Sequence, residues 1–107
     1  MPARIDPTIE IMTLINVFTV APEQQQALVD LLDQATEATM KRRPGFISAS
    51  IHKSLDGRRV VNYAQWRSKE DFAAMQKDAA AAEHMQAAAR LAQFDPIVCV
   101  VASSHTA

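Results

Sequence analysis

Two runs of alternating apolar and polar residues flank Asp56-Gly57: Phe46-Ile47-Ser48-Ala49-Ser50-Ile51-His52-Lys53 and Arg59-Val60-Val61-Asn62-Tyr63-Ala64-Gln65-Trp66. A period of two marks a half-buried strand, and Asp-Gly between two such runs predicts a β-hairpin closed by a type I′ turn, which needs two residues with positive φ. That turn sets a register. Leu55 falls opposite Arg58, Lys53 opposite Val60, Ile51 opposite Asn62, Ala49 opposite Ala64, and Ile47 opposite Trp66. Successive side chains alternate across a strand. One face therefore carries Ile47, Ala49, Ile51, Val60, Asn62, Ala64 and Trp66; the other carries Phe46, Ser48, Ser50, His52, Val61, Tyr63 and Gln65. The first face is apolar apart from one amide. A buried amide left without partners costs about 1–3 kcal/mol. Asn62 beside Trp66 reads as a polar anchor inside a pocket, or as an amide bonded to a neighbouring loop.

The remaining pattern supplies the other elements. Residues 1–10 read as a flexible lead-in, and Met12 to Val20 as a β-rich strand. Its even positions are Met12, Leu14, Asn16, Phe18 and Val20. Pro22 suits a helix start. Leu28, Leu31, Leu32, Ala35 and Thr39 then form a helical stripe, predicting a helix over Glu23 to Arg43. Lys41, Arg42 and Arg43 sit at its negative end and read as a solvated terminus, before Pro44-Gly45 stops it. Ser68-Lys69-Glu70-Asp71 is an N-cap followed by acidic residues. The helix after it carries Phe72, Met75 and Ala79, with a break somewhere between Asp78 and Glu83. Asp95-Pro96 ends the helical region. Ile97 to Val101 is a last strand, apolar on both faces and so expected to be buried on both. The order β-α-β-β-α-β is the ferredoxin-like α+β pattern, with two helices on one face of the sheet. The opposite face needs another cover, which a second copy packed sheet to sheet supplies. The expectation is a homodimer burying Val61, Tyr63 and the outer face of the last strand.

Composition narrows the chemistry. The net charge is −1 and no basic footprint for nucleic acid is present. Cys99 is the single cysteine, which fits a reducing, cytoplasmic location. No apolar run reaches membrane-spanning length, and the first residues do not read as a signal peptide. With only Gly45 and Gly57, no phosphate-cradling loop or dinucleotide fingerprint exists. His52, His84 and His105 lack metal-ligand spacing with Cys99 or with paired carboxylates. No cofactor or metal is expected. His52 reads as a hydrogen-bonding residue of the dimer face, His105 as part of the tail, and His84 as a residue near the end of the second helix that overlooks the pocket. Much of the apolar content is alanine, which builds helices well and fills cores poorly.

Pro44-Gly45-Phe46, Asp56-Gly57 and the run Val60-Val61-Asn62-Tyr63-Ala64-Gln65-Trp66 with Ser68 resemble the antibiotic biosynthesis monooxygenase (ABM) family. Within it, the likeness is to the cofactor-free anthrone monooxygenases of aromatic polyketide pathways. The resemblance implies an ABM-like domain over residues 11–103, with a short tail at 104–107, folded as a dimeric α+β barrel. It implies oxidation of an electron-rich aromatic (an anthrone, phenol or quinol) by O2 without a cofactor. Asn62 and Trp66 match residues that line the family's cleft and hold a polycyclic substrate; their N–H groups would donate to a developing oxyanion. Asn16 matches a pocket asparagine of the haem-degrading members. Leu14, Phe18, Ile47, Ile51, Phe72 and Met75 would form the apolar wall around flat rings. His84, or a water held by Asn16, is the candidate base. Two positions depart from the pattern. Phe72 stands where the anthrone monooxygenases have a tyrosine thought to assist proton transfer, and their second-helix arginine has no clear match, with Gln86 and Arg90 nearby. In the haem-degrading branch a Trp is expected near Met75 and a His about one position from His84. A non-oxidative ABM-type isomerase, or a ligand-binding dimer without turnover, is the alternative.

Overall fold

The computed structural model describes residues 2–107. The strands are β1 (Met12–Val20), β2 (Phe46–Lys53), β3 (Arg59–Trp66) and β4 (Ala92–Cys99); the helices are α1 (Gln25–Ala38), α2 (Lys69–Gln76) and α3 (Ala79–Leu91). The four strands form one antiparallel sheet in the order β2-β3-β1-β4. This is the ferredoxin-like α+β arrangement, with the second helix divided in two.

The hairpin keeps the expected register from Lys53↔Val60 to Ala49↔Ala64 but reaches it through a different turn. Gly57 has φ +80, and no other residue of the connection has positive φ, so the turn is not type I′. Gly57 N–H instead donates to Ser54 O, while the Asp56 carboxylate accepts from the Ser54 hydroxyl and the Arg58 N–H. The two donors hold the Asp56 carboxyl below its ordinary range. At the far end a β-bulge corrects the pairing: Phe46, not Ile47, lies opposite Trp66. One extra residue reverses the alternation beyond it. Ile47 is turned out and 47% exposed, and Phe46 packs edge-on against Trp66 with ring centroids 5.4 Å apart.

Helix α1 buries Leu28, Leu32 and Ala35 as its stripe requires. It is shorter than expected, with single 3-10 turns at Pro22–Gln24 and Met40–Arg42. Arg43 is not solvated: it is half-buried and pairs with Asp78 at 3.2 Å. Asp78 also caps α3, accepting from the N–H groups of Ala80 and Ala81. The helix break therefore falls at Lys77-Asp78, and Met85 belongs to the same helix as Ala79. Ser68 caps α2 through Asp71 N–H. Arg67 and then Ser68 donate to the Asp71 carboxylate, which keeps its pKa low. The stability from that pairing is present above the ordinary carboxylate range and is lost as pH falls through the lowered value.

The final strand departs most from expectation. It begins at Ala92, directly after α3, and includes Asp95 and Pro96. A proline is admitted because β4 is an edge strand. Nor is the strand buried on both faces within this chain: Ile97 is 45% and Val98 54% exposed. On the sheet face away from the helices, Gln65 is buried. It accepts from Ser48 Oγ at 2.8 Å and donates to Arg4 O at 2.6 Å, so the N-terminal segment crosses this face.

Candidate active site

The core divides into two clusters between sheet and helices. One gathers Met12, Leu14, Ala64, Trp66, Phe72, Met75 and Ala81; the other gathers Phe18, Val20, Leu28, Leu32, Val60 and Ala88. Between them lies a cavity of about 450 Å³. Its origin is steric. The helical side of the wall includes Ala35, Ala81, Ala82 and Ala89, whose small side chains leave space that larger ones would fill. Pockets for flat, drug-sized ligands span roughly 300–1,000 Å³.

The sheet side is the floor. Leu14, Asn16 and Phe18 of β1, Asn62, Ala64 and Trp66 of β3, and Phe94 and Pro96 of β4 line it. Asn16 and Asn62 are directly opposed across β1 and β3. Both side-chain oxygens are buried and neither has a hydrogen-bond partner among the described residues. Adjacent amides could satisfy each other, and here they do not. Trp66 is 2% exposed and held between Phe46 and Phe72, whose centroids lie 5.4 and 5.9 Å from its own.

The helical side adds Phe72, Met75, His84, Met85 and Gln86. His84 Nε2 lies 3.1 Å from Thr39 Oγ1 at the end of α1. Of the residues singled out in the sequence, Asn16, Asn62, Trp66, His84, Leu14, Phe18, Phe72 and Met75 all line the cavity. Ile47 and Ile51 do not. The bulge expels Ile47, and Ile51 packs against the second core cluster. Phe46 takes the place expected for Ile47. Thr36, Met40, Phe94 and Pro96 were not anticipated. Phe94 and Pro96 lie ahead of the strand expected from Ile97, in the stretch read as the end of the helical region, although their even spacing was a usable strand signal. Among the described residues no group of three His, Cys, Asp or Glu side chains is assembled that could hold a metal.

The family model for antibiotic biosynthesis monooxygenase matches residues 11–91. The chain belongs to this family. Tetracenomycin-F1 monooxygenase of Streptomyces glaucescens is 47% identical to it over 105 residues, covering 98% of this chain and 94% of that protein. The monooxygenase ActVA-Orf6 of Streptomyces coelicolor, solved in complex with nanaomycin D, has a TM-score of 0.81 and 29% identity, covering 95% of this chain and 96% of that one. SnoaB of Streptomyces nogalater, a cofactor-independent oxygenase, shares the ABM fold with a TM-score of 0.74 at 23% identity, over 88% of this chain and 95% of that one.

Proposed function

We propose that this ABM protein is a monooxygenase that oxidises a flat, electron-rich polycyclic aromatic, an anthrone or phenol of polyketide type, with O2. The carrying observation is the pair of opposed amides, Asn16 and Asn62, whose buried side-chain oxygens have no partner among the described residues, on the floor of a mostly apolar cavity. Apolar walls grip fused rings; the amide oxygens can accept from ring hydroxyls, and the amide N–H groups can donate to a ring oxygen. The relation to tetracenomycin-F1 monooxygenase supports the same substrate class.

Triplet O2 reacts slowly with closed-shell molecules. A deprotonated anthrone is electron-rich enough to pass one electron to O2, and the radical pair then forms a C–O bond. Loss of water from the resulting hydroperoxide leaves a carbonyl. The ring CH2 becomes C=O; one oxygen atom enters the product and the other leaves as water with both hydrogens. No reductant is consumed. Asn16, Asn62 and Trp66 stabilise the anion by donating N–H groups to its oxygen, a preorganised dipole effect. The apolar wall excludes water.

Oxygen uptake decides the matter. Purified protein given anthrone or tetracenomycin F1, without reductant, is expected to consume one O2 per quinone formed, well above the spontaneous rate. Uptake at the spontaneous rate with both would overturn the reading and leave a non-oxidative or binding role.

The same reading includes a homodimer. The sheet face away from the helices carries Ile15, Val17, Val61 and Tyr63, half-buried, with Ile97 more exposed beside them. A second copy packed on this face would bury them. Light scattering at micromolar concentration is expected to give twice the chain mass; a monomer mass would refute the dimer. A location in the cytoplasm is also part of this reading, consistent with the free thiol of Cys99.

A further inference from the structure

His84 is the sole ionisable side chain among the residues lining the cavity. The other polar groups on its wall are amides, a hydroxyl and the Trp66 indole N–H, none of which is a base near neutral pH. Phe72 cannot carry a proton, and Gln76 and Gln86 do not titrate. The ring's one hydrogen bond among the described residues joins Nε2 to Thr39 Oγ1 at 3.1 Å. Thr39 itself does not line the cavity, although its neighbours Thr36 and Met40 do. It caps the end of α1, and its N–H is tied to Ala35 O at 3.0 Å, which fixes the main chain from which the hydroxyl projects.

We propose that His84 is the catalytic base of the oxidation and that Thr39 is its positioning residue, accepting the Nε2–H and leaving Nδ1 free to take the substrate proton. This rests on the oxidative reading above. A neutral imidazole can act as a base only at the nitrogen that carries no hydrogen, and the partner of the other nitrogen sets which one that is. A hydroxyl oxygen has two lone pairs, so Thr39 accepts from Nε2–H in both the neutral ring and the imidazolium. No rearrangement is needed when the proton arrives.

The steps balance. Nδ1 takes one proton from the ring CH2, and the carbanion passes an electron to O2. The radical pair forms a C–O bond, and the imidazolium returns its proton to the outer oxygen, giving a hydroperoxide. His84 then removes the second C–H proton as the C=O bond forms and the O–O bond breaks. Hydroxide leaves and receives that proton from the imidazolium as water.

Two measurements test this. In steady-state oxygen uptake with anthrone, His84→Gln is expected to lower kcat by about 100-fold or more, the usual worth of a positioned base. Its KM should change little, because Gln fills similar space. Thr39→Val should lower kcat by up to about 100-fold at similar KM, as misplacing a catalytic group by about 1 Å can, and Thr39→Ser should restore it. A parent-like kcat in His84→Gln would overturn the proposal, as would a Thr39→Ser variant no better than Thr39→Val. The second readout is the histidine tautomer by 15N NMR in substrate-free protein. The parent should show the Nε2–H form, and Thr39→Val a mixture. An Nδ1–H form in the parent would overturn the dyad. This measurement needs no turnover, so it separates failure of the dyad from failure of the oxidative reading.

Discussion

Asn62→Leu is expected to cut kcat/KM for an anthrone about 100-fold, the scale of losing one oxyanion donor, while melting at or above the parent temperature. Most site substitutions lose activity and stability together; this one separates them. The Asn62 oxygen is buried without a partner, as is that of Asn16 opposite it. Directly opposed residues place their Cβ atoms about 4.5–5.5 Å apart, so the two amides share one patch of floor. Each unsatisfied oxygen carries a desolvation cost of about 1–3 kcal/mol that no hydrogen bond among the described residues offsets. Leucine has nearly the same shape, removes that cost and adds contact with its apolar surroundings. Sites that give up stability for a ligand gain stability when their polar groups are removed. Asn16→Leu should move both quantities in the same directions. Thermal melts and oxygen uptake on the same samples test this. A leucine variant that turns over like the parent would remove the amide from the site, and one that melts well below the parent would make it a structural residue.

The floor was legible because strand register is a strict rule. Once Lys53 is opposite Val60, the face shared by Asn62, Ala64 and Trp66 follows, and the even positions of β1 join it through the Asn16↔Asn62 pairing. The turn was misassigned without harm, since the longer connection returns the chain to the same register. The bulge was not legible. Phe46 and Ile47 are both apolar, so either could face the helices, and alternation cannot show which of two such neighbours is the extra residue. The outcome is decided by packing: the Phe46 ring meets the Trp66 edge.

The helical wall and β4 were harder to read. Alanine at successive positions has no polar partner to break the pattern, so the end of α3 gave no local signal before Asp95-Pro96. The chain passes from helix at Leu91 to strand at Ala92 without a glycine. What places the strand there is pairing with β1, a long-range effect. The break between α2 and α3 was bounded but not located, because Asp78 acts through two partners distant in sequence or in role. It caps α3 and receives Arg43 from the far side of the fold. The cluster Lys41-Arg42-Arg43 resembles a solvated helix end until that acceptor is known.

Gly45→Ala is expected to lower stability by about 1.5–4 kcal/mol, combining the left-handed backbone cost of about 1–2 kcal/mol with disruption of a helix cap worth about 0.5–2 kcal/mol. Gly45 has φ +86, and an added Cβ would lie 2.5 Å from the Cβ, Cγ and Oδ2 atoms of Asp71. Asp71 cannot step aside cheaply. Its carboxylate receives Arg67 at 2.8 and 3.1 Å and Ser68 Oγ at 3.0 Å, and its N–H is the one that Ser68 caps. Gly45 O also accepts the Arg67 N–H at 2.7 Å, so both sides of the contact are tied to one another. Gly57 supplies the control. Its φ is +80, but an added Cβ would meet only Pro22 at 3.6 Å, an ordinary contact. Gly57→Ala should therefore cost only the backbone share, about 1–2 kcal/mol. At about 4–8 °C per kcal/mol for a domain near this size, the two variants should melt visibly apart, with Gly45→Ala lower. The difference between them measures crowding against Asp71. Because Asp71 lies in the first turn of the helix that carries Phe72 and Met75, Gly45→Ala should also weaken ligand binding, whereas Gly57→Ala should not. Equal melting temperatures for the two would show that the first turn of α2 moves freely and that its cap does not hold the cavity wall.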